Sequence, residues 1–598
     1  MQAVVLGFDG LDAGFVDRFE SSLPNITRLR ERGVEAPLES TYPPGSASAW
    51  PSLYTGTDPS HHGVFGAFRT DSYPDEATPA SGVDVRRPAI WDYLSSEGAS
   101  SVVLNVPLTH PADPINGVVV PGLPAGDVER GYPDGICEEL NDEVGEPGDE
   151  YTISEAPPED DDDRLEYTLD LLDQRRQAAV ALLEREEWEL AVCGVRGTDI
   201  VSQGLCRDQG QDDEIERIRT VYEAADRLVG DVLETVDDET TVVLCSSHGT
   251  TRKTGYRIDV NEILAEHGYL ETTSGSLPPA TLSKASEQLR EFDVGEADES
   301  ARRLEEPGVD GSTETGTGTE TDVTADGIGD ERSLVEMRQR DGDEQRERGR
   351  TRNEDRAEGR NERPISNAIG TVADRTGLRS ALERLSSLFP VGRSERTVDW
   401  HRSRAYCAAG SHMGIRVNLA GREPYGRVTP SEYETVCTAV VDLLSSLETP
   451  DGEPAFEFVC RREHLYDGPF VEKAPDVFVL PKAENHIVSA SISGRGEVFH
   501  PIETDGHALE GVFVGAGPGF DGETPNRLSI TDVAPITMAA LGRPVPSVMT
   551  GIVPEGLTRD PPVRADYPGI AIGSAIDDPT FDDEKLPGRL TGSGLRDW

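Results

Sequence analysis

Asp9 in LGFDG, Asp199 in RGTDIVSQG and His248 in SSHG each stand just past an apolar run. Ser46 sits in the loop TYPPGSASAWPSLYTGTDPSHHG where it enters a helix, and His507 precedes a last apolar run in TDGHALEGVF. Open α/β sheets gather ligands at such strand ends. Carboxylates and imidazoles brought together there are the donors that a pair of divalent cations requires. The free N–H groups and dipole at a helix start favour an anion such as phosphate beside Ser46. Taken singly, each residue has a plainer use: Asp9 caps a turn, Ser46 caps a helix, and His248 and His507 bond to backbone in the core. Their shared placement favours the chemical reading.

The elements that must position them are legible as short apolar runs bounded by glycine or turn residues. These are AVVLGF at 3–8, SVVLNV at 101–106, ELAVCGV at 189–195, TTVVLCSS at 240–247, DVFVL at 476–480 and GVFVGAG at 511–517. Such runs suit parallel strands buried on both faces. Helical patterns lie between them at 163–186, with Leu165, Leu169, Leu172, Ala178 and Leu182 on one face, and at 212–235, with Ile215, Ile218, Val221 and Leu228. The alternation predicts an α/β fold with a doubly wound, mostly parallel sheet.

Composition divides the chain. Residues 1–272 read as the first part of the core. The stretch 273–365 contains GSTETGTGTETD and RQRDGDEQRERGRTRNEDRAEGRNER, too polar to offset its ordering entropy, and reads as a disordered, mixed-charge insertion. Its arginines alternate with acids, which argues for a solvated linker over a nucleic-acid-binding arm. Residues 366–500 read as an inserted cap subdomain returning to the core, 501–560 as the last part of the core, and 561–598 as a flexible tail.

The formal charge is 56 − 112 = −56, with a pI near 4.4. That charge repels phosphate backbones and anionic membranes, so neither a nucleic-acid-binding face nor a membrane surface is expected. Only Lys253, Lys284, Lys473, Lys482 and Lys585 are lysines, and the acid is spread through segments that look folded. Dense carboxylates keep a surface hydrated in concentrated salt, which points to a halophilic protein. Seven cysteines without a CxxC pair read as free thiols. The start MQAVVLGFDG runs straight into a strand without a basic leader, and no apolar run reaches the ~20 residues of a membrane helix. A cytoplasmic location is expected.

Several matches in order make the chain resemble the alkaline phosphatase superfamily, and within it the type I phosphodiesterase and nucleotide pyrophosphatase family. They are the first strand with Asp9, the serine loop ending Leu53-Tyr54-Thr55-Gly56, the HG at 62–63, VDWHRSRAY at 398–406 and NLAGREPYGRV at 418–428. APDVFVL at 474–480, GHALEGVF at 506–513 and ITDVAPITMAALGRPVP at 530–546 continue the series. The resemblance implies an alkaline-phosphatase-like fold and two metal ions, commonly zinc, that polarise a phosphate ester and activate a hydroxyl nucleophile. Aligning the serine loop on its TG end puts Ser46 at the nucleophile position and leaves His61 and His62 structural. One metal would then take Asp9, the Ser46 oxygen, His248 and the residue before it; the other would take Asp199, His507 and the residue four beyond Asp199.

At those two further positions the chain departs from the resemblance, with Ser247 where an aspartate is usual and Gln203 where a histidine is usual. Hydroxyl and amide oxygens suit magnesium or manganese better than zinc. The implied activity is metal-dependent hydrolysis of a phosphodiester or nucleotide pyrophosphate bond in a small phosphorylated substrate. Two alternatives remain open: a pseudoenzyme of the same fold that binds a phosphorylated ligand or partner, and a phosphomonoesterase or phosphoryl transferase. The serine loop holds no cysteine of the kind that the resembling sulfatases modify.

Overall fold

The computed structural model describes residues 1–69, 79–122, 131–144, 161–204, 212–273, 397–408, 413–568 and 570. The expected insertion from residue 274 onward, residues 366–396 of the expected cap segment and residues 571–598 of the expected tail lie outside these.

From the N-terminus come β1 (Gln2–Phe8), β2 (Val34–Glu39), helix α1 (Ser46–Thr55), β3 (Ser101–Val106) and β4 (Gly117–Pro121). Next are α2 (Asp161–Arg185), β5 (Leu190–Val195), α3 (Gly197–Gly204), α4 (Asp212–Thr235), β6 (Thr240–Ser246) and β7 (Gly249–Lys253). After residue 397 follow β8 (Ala405–Cys407), β9 (Gly414–Val417), α5 (Pro430–Ser445), β10 (Phe456–Arg461), β11 (Val477–Pro481), β12 (Thr504–Ala508), β13 (Glu510–Ala516) and β14 (Leu528–Ser529).

The main sheet has the order β14-β2-β13-β6-β1-β5-β3-β4. It is mostly parallel, with β1 between β5 and β6 in continuous parallel register. The exception is β13, antiparallel to both β2 and β6. The run at 511–517 is therefore a buried core strand of opposite sense. Burial on both faces permits either direction, and periodicity alone does not separate them. The run at 476–480 forms β11, which lies in a second sheet of order β8-β9-β11-β10.

Alternate residues of β1 build two cores. Val4, Leu6 and Phe8 pack with Val221, Tyr222 and Leu228 of α4, while Ala3 and Val5 belong to the cluster holding Trp50 and Leu53 of α1. The central strand is thereby clamped between helices. Fully burying each such side chain contributes about 1.5–3 kcal/mol relative to exposure. The second sheet is antiparallel and carries α5, whose Val436, Cys437, Val440 and Leu444 are buried with strand residues Ile415 and Val477. Pro430 at the first turn and a Thr429–Glu432 capping box fix where α5 starts.

This second layer meets the serine loop directly. Tyr42 donates its hydroxyl to the Val479 carbonyl, and the Phe470 N–H donates to Ser60 O at 2.8 Å. Six of the seven cysteines are thiols outside any disulfide among the described residues, and Cys206 lies outside them. Burial pushes the thiols of Cys193, Cys245 and Cys407 up to about 12, so they behave as small apolar side chains.

Candidate active site

The adjacency of β5, β1 and β6 sets three chain ends side by side. Asp9 leaves β1, Asp199 enters α3 after β5, and Ser247 and His248 leave β6. The Asp9 N–H donates to Val195 O at 2.7 Å, the Ser247 N–H to Phe8 O at 2.9 Å, and the Thr198 hydroxyl to Asp9 O at 2.6 Å. Gly10 turns the chain at φ +66°, and a Cβ there would lie 2.8 Å from Asp199 Oδ1. Only glycine meets both demands. β12 brings in His507 by pairing antiparallel with β7, with His507 opposite Thr250.

Ser46 is the first residue of α1, at the end where backbone N–H groups are unpaired, and α1 is held against the sheet by Trp50. Its Oγ lies 3.3 Å from His248 Nε2, which in turn lies 3.5 Å from Asp9 Oδ1. The rings of His248 and His507 are 3.9 Å apart between centroids. Asp199 Oδ1 is 3.8 Å from His507 Nε2. The ligand atoms of Asp199, His248 and His507 all lie within 4.8 Å of one another. The five residues singled out in the sequence are thus one cluster. Gln203 falls within α3, but its side chain lies outside the described residues.

The proton positions on the histidines test whether this cluster fits a cation. His248 Nδ1 faces the Gly249 carbonyl at 3.0 Å and His507 Nδ1 faces the Pro44 carbonyl at 3.3 Å. A carbonyl accepts only, so the network assigns the neutral-ring proton to Nδ1 in both, leaving an Nε2 lone pair aimed at a carboxylate oxygen. The Ser46 hydroxyl also faces His248 Nε2, at 3.3 Å, and a cation among Asp199, His248 and His507 would take the lone pairs of both rings. A backbone carbonyl on the far nitrogen is also the usual way of orienting a metal-binding imidazole. The residues fit a divalent cation.

Asp9 is buried, and its two oxygens differ. Oδ1 accepts from the Ser247 hydroxyl and, at 3.1 Å, from the Trp50 indole N–H. Oδ2 has no hydrogen-bond partner among the described residues and lies 3.9 Å from Arg196 Nε. Arg196 and Trp50 are the site residues that the sequence reading missed. An arginine one step past β5 and three before Asp199 was the available signal for the first. Nothing in the pattern foretold that the Trp50 indole would reach Asp9.

His62 is fully buried and bonded to Ser52 Oγ at 2.9 Å, apart from the cluster. His61 pairs with Asp58 at 2.8 Å. Arg422 is spent inside the second layer on Asp476, at 2.6 and 2.7 Å, and Tyr406 bonds to Glu423.

A mostly parallel α/β sheet with a serine at a helix start and acid and imidazole donors at its strand ends defines an alkaline-phosphatase-like protein. The chain belongs to the type I phosphodiesterase / nucleotide pyrophosphatase family, whose sequence profile matches residues 3–325. A search of curated proteins returned no match. Among solved structures, the chain is similar to phosphonoacetate hydrolase from Sinorhizobium meliloti 1021 in complex with phosphonoformate. The TM-score is 0.50 at 12% identity, over 90% of this chain and 96% of that one. The murine ectonucleotide pyrophosphatase / phosphodiesterase 5 aligns with a TM-score of 0.43 at 9% identity, over 93% and 97%. The first likeness supports the fold.

Proposed function

We propose that this chain hydrolyses phosphodiester or nucleotide pyrophosphate bonds in a small phosphorylated substrate, with Ser46 as nucleophile. Family membership supports phosphoester hydrolysis. The observation that carries the finer reading is Ser46 Oγ at a helix start, 3.3 Å from His248 Nε2 in a cluster with Asp9, Asp199 and His507. The N–H groups of that helix start would donate to the phosphate oxygens and offset their negative charge. Ser46 Oγ loses its proton to solvent and attacks phosphorus, the bond to the leaving oxygen breaks as that oxygen takes a proton from water, and a second water later cleaves the seryl ester to free phosphate monoester and the serine hydroxyl. A divalent cation, zinc, manganese or magnesium, would supply the Lewis-acid charge that lowers the hydroxyl pKa. The acidic composition supports a cytoplasmic enzyme working in concentrated salt.

A second reading, a binding protein of the same fold without turnover, is favoured by one detail: the Ser247 hydroxyl is turned onto Asp9 rather than offering a carboxylate to a metal. Hydrolysis of bis(4-nitrophenyl) phosphate at molar salt, with each of the three cations supplied in turn, separates the two. Cation-dependent turnover that vanishes in Ser46→Ala is the expected result. Equal turnover in Ser46→Ala would overturn the nucleophile, and no turnover with any cation would favour the binding protein.

A further inference from the structure

We infer that the chain holds a single divalent cation, on Asp199, His248 and His507, and that the Arg196 guanidinium supplies at Asp9 the positive charge a second ion would bring. The inference rests on the reading above that this site takes a metal. It differs from the two-ion division expected from sequence, in which His248 and Asp199 serve different ions.

Three observations carry it. The ligand atoms of Asp199, His248 and His507 converge within 4.8 Å, whereas Asp9 is not in that group. Two imidazoles and one carboxylate form a complete protein ligand set for a catalytic divalent ion, with further positions left to water or substrate. Both imidazoles are already oriented for it by the Gly249 and Pro44 carbonyls.

The Asp9 side of the cluster is closed by other means. Ser247 is fully buried and pinned, its N–H on Phe8 O at 2.9 Å and its carbonyl accepting from Ser40 Oγ at 2.6 Å. Its hydroxyl proton is spent on Asp9 Oδ1, which also takes the Trp50 N–H. A neutral hydroxyl in this position adds no charge to hold a metal.

What faces the remaining oxygen is a permanent cation. Arg196 Nε stands 3.9 Å from Asp9 Oδ2, and its side chain is 18% exposed. Its backbone is fixed at the start of α3, where its carbonyl accepts from Asp199 N at 3.1 Å and Ile200 N at 3.3 Å. A guanidinium stays charged at every working pH, repels a divalent ion brought beside it, and presents N–H groups suited to a phosphate oxygen.

The test is titration of Mn2+ into the metal-free full-length chain at molar salt, read by bound metal per chain and by electron paramagnetic resonance. One ion per chain with the spectrum of an isolated Mn2+ is expected. Asp199→Asn and His507→Ala should raise its Kd by ~100-fold or more, while Asp9→Asn still binds one ion per chain, with a smaller rise in Kd. Two ions per chain with a spin-coupled spectrum, or loss of an ion in Asp9→Asn, would overturn the inference yet leave the hydrolase reading standing. Absence of any bound ion would overturn both. For Arg196, Ser247→Asp alone and Ser247→Asp with Arg196→Lys should each stay at one ion, and Ser247→Asp with Arg196→Met should take two. A second ion in Ser247→Asp alone, or only one in the folded Met variant, would overturn the role given to Arg196.

Discussion

The Trp50 indole N–H donates to Asp9 Oδ1 at 3.1 Å while its ring lies against Gly7, where a Cβ would come within 2.6 Å of the six-membered ring. One side chain thereby fixes the distance between the helix that presents Ser46 and the strand that presents Asp9.

Gly7→Ala should therefore cost about 1–3 kcal/mol, because the ring is fully buried and has nowhere to retreat. Trp50→Phe should cost a similar ~1.5–3 kcal/mol by taking a donor from a buried carboxylate. Urea unfolding at fixed molar salt measures both. A Gly7→Ala protein as stable as the parent would show that α1 is not tightly seated on β1.

Ser46→Ala should lower phosphodiester turnover by ~10³-fold or more, since the other hydroxyl in that first turn, Ser48 Oγ, is turned onto Thr41 Oγ1 and the Gly45 carbonyl. Stability should change by less than ~1 kcal/mol, because Ser46 Oγ makes one long contact, to His248, rather than a cap bond. Kinetics paired with urea unfolding checks this. A loss of turnover matched by loss of fold would leave Ser46 with a structural role only.

Much of this arrangement was legible because strand ends carry chemistry. Asp9, Asp199 and His248 sit where three fully buried runs stop, and runs buried on both faces pair side by side at the centre of a sheet. His507 followed from its place ahead of β13. Harder to read were the short or mixed strands β2, β4 and β14, whose pairing is set by tertiary contact rather than by pattern. The opposite sense of β13 and the separate sheet of β11 are of the same kind. Trp50 reaches Asp9 across space, which residue type and spacing do not encode, and for Arg196 its place between β5 and Asp199 was the one signal in the sequence.

Stability should fall as pH drops from about 6.5 toward about 3 through His62. Burial holds this imidazole down at about 3, with Asp58 opposing, against an ordinary value of 6.5. The unfolded chain takes up the proton first, so the folded state loses up to roughly 1.4 kcal/mol per pH unit across that window and nothing above it. Asp92 acts the other way, because burial raises it to about 6 and stability grows as pH falls from there toward 3.8. The difference between the parent and His62→Gln isolates the histidine. The variant's stability should fall less steeply between pH 6.5 and 4, and equal slopes would refute the assignment.

Asp476→Asn should cost about 3–5 kcal/mol. Burial pushes this carboxyl up, but Arg422, then Arg462 and Arg416, hold it well below the ordinary carboxylate range. It also accepts from the Tyr433 hydroxyl at 2.6 Å and the Val417 N–H at 2.6 Å, so it ties α5, β9 and β11 together. A depressed carboxylate stabilises the fold above its unfolded value near 3.8 and loses that contribution only as pH falls below it. Urea unfolding at pH 7 reads the full effect, and a cost under ~1 kcal/mol would mean the arginines find other partners.

Lys253 links the second layer to the proposed cation site and should matter to metal affinity without being a ligand. It is buried, and its Nζ donates to Glu484 O at 2.9 Å and to His507 O at 3.1 Å. Glu484 in turn accepts the Leu509 N–H on its side chain at 2.9 Å, so the end of the strand that carries His507 is held at two points. Gly506 lies under the lysine stem, where a Cβ would come within 2.5 Å of Cε. Lys253→Met keeps the stem and removes the two bonds, freeing β12 to shift and His507 with it. Mn2+ affinity should drop by ~10-fold, the scale on which groups behind metal ligands act. Calorimetric titration of the folded variant measures it, and an unchanged Kd would show that pairing with β7 alone positions His507.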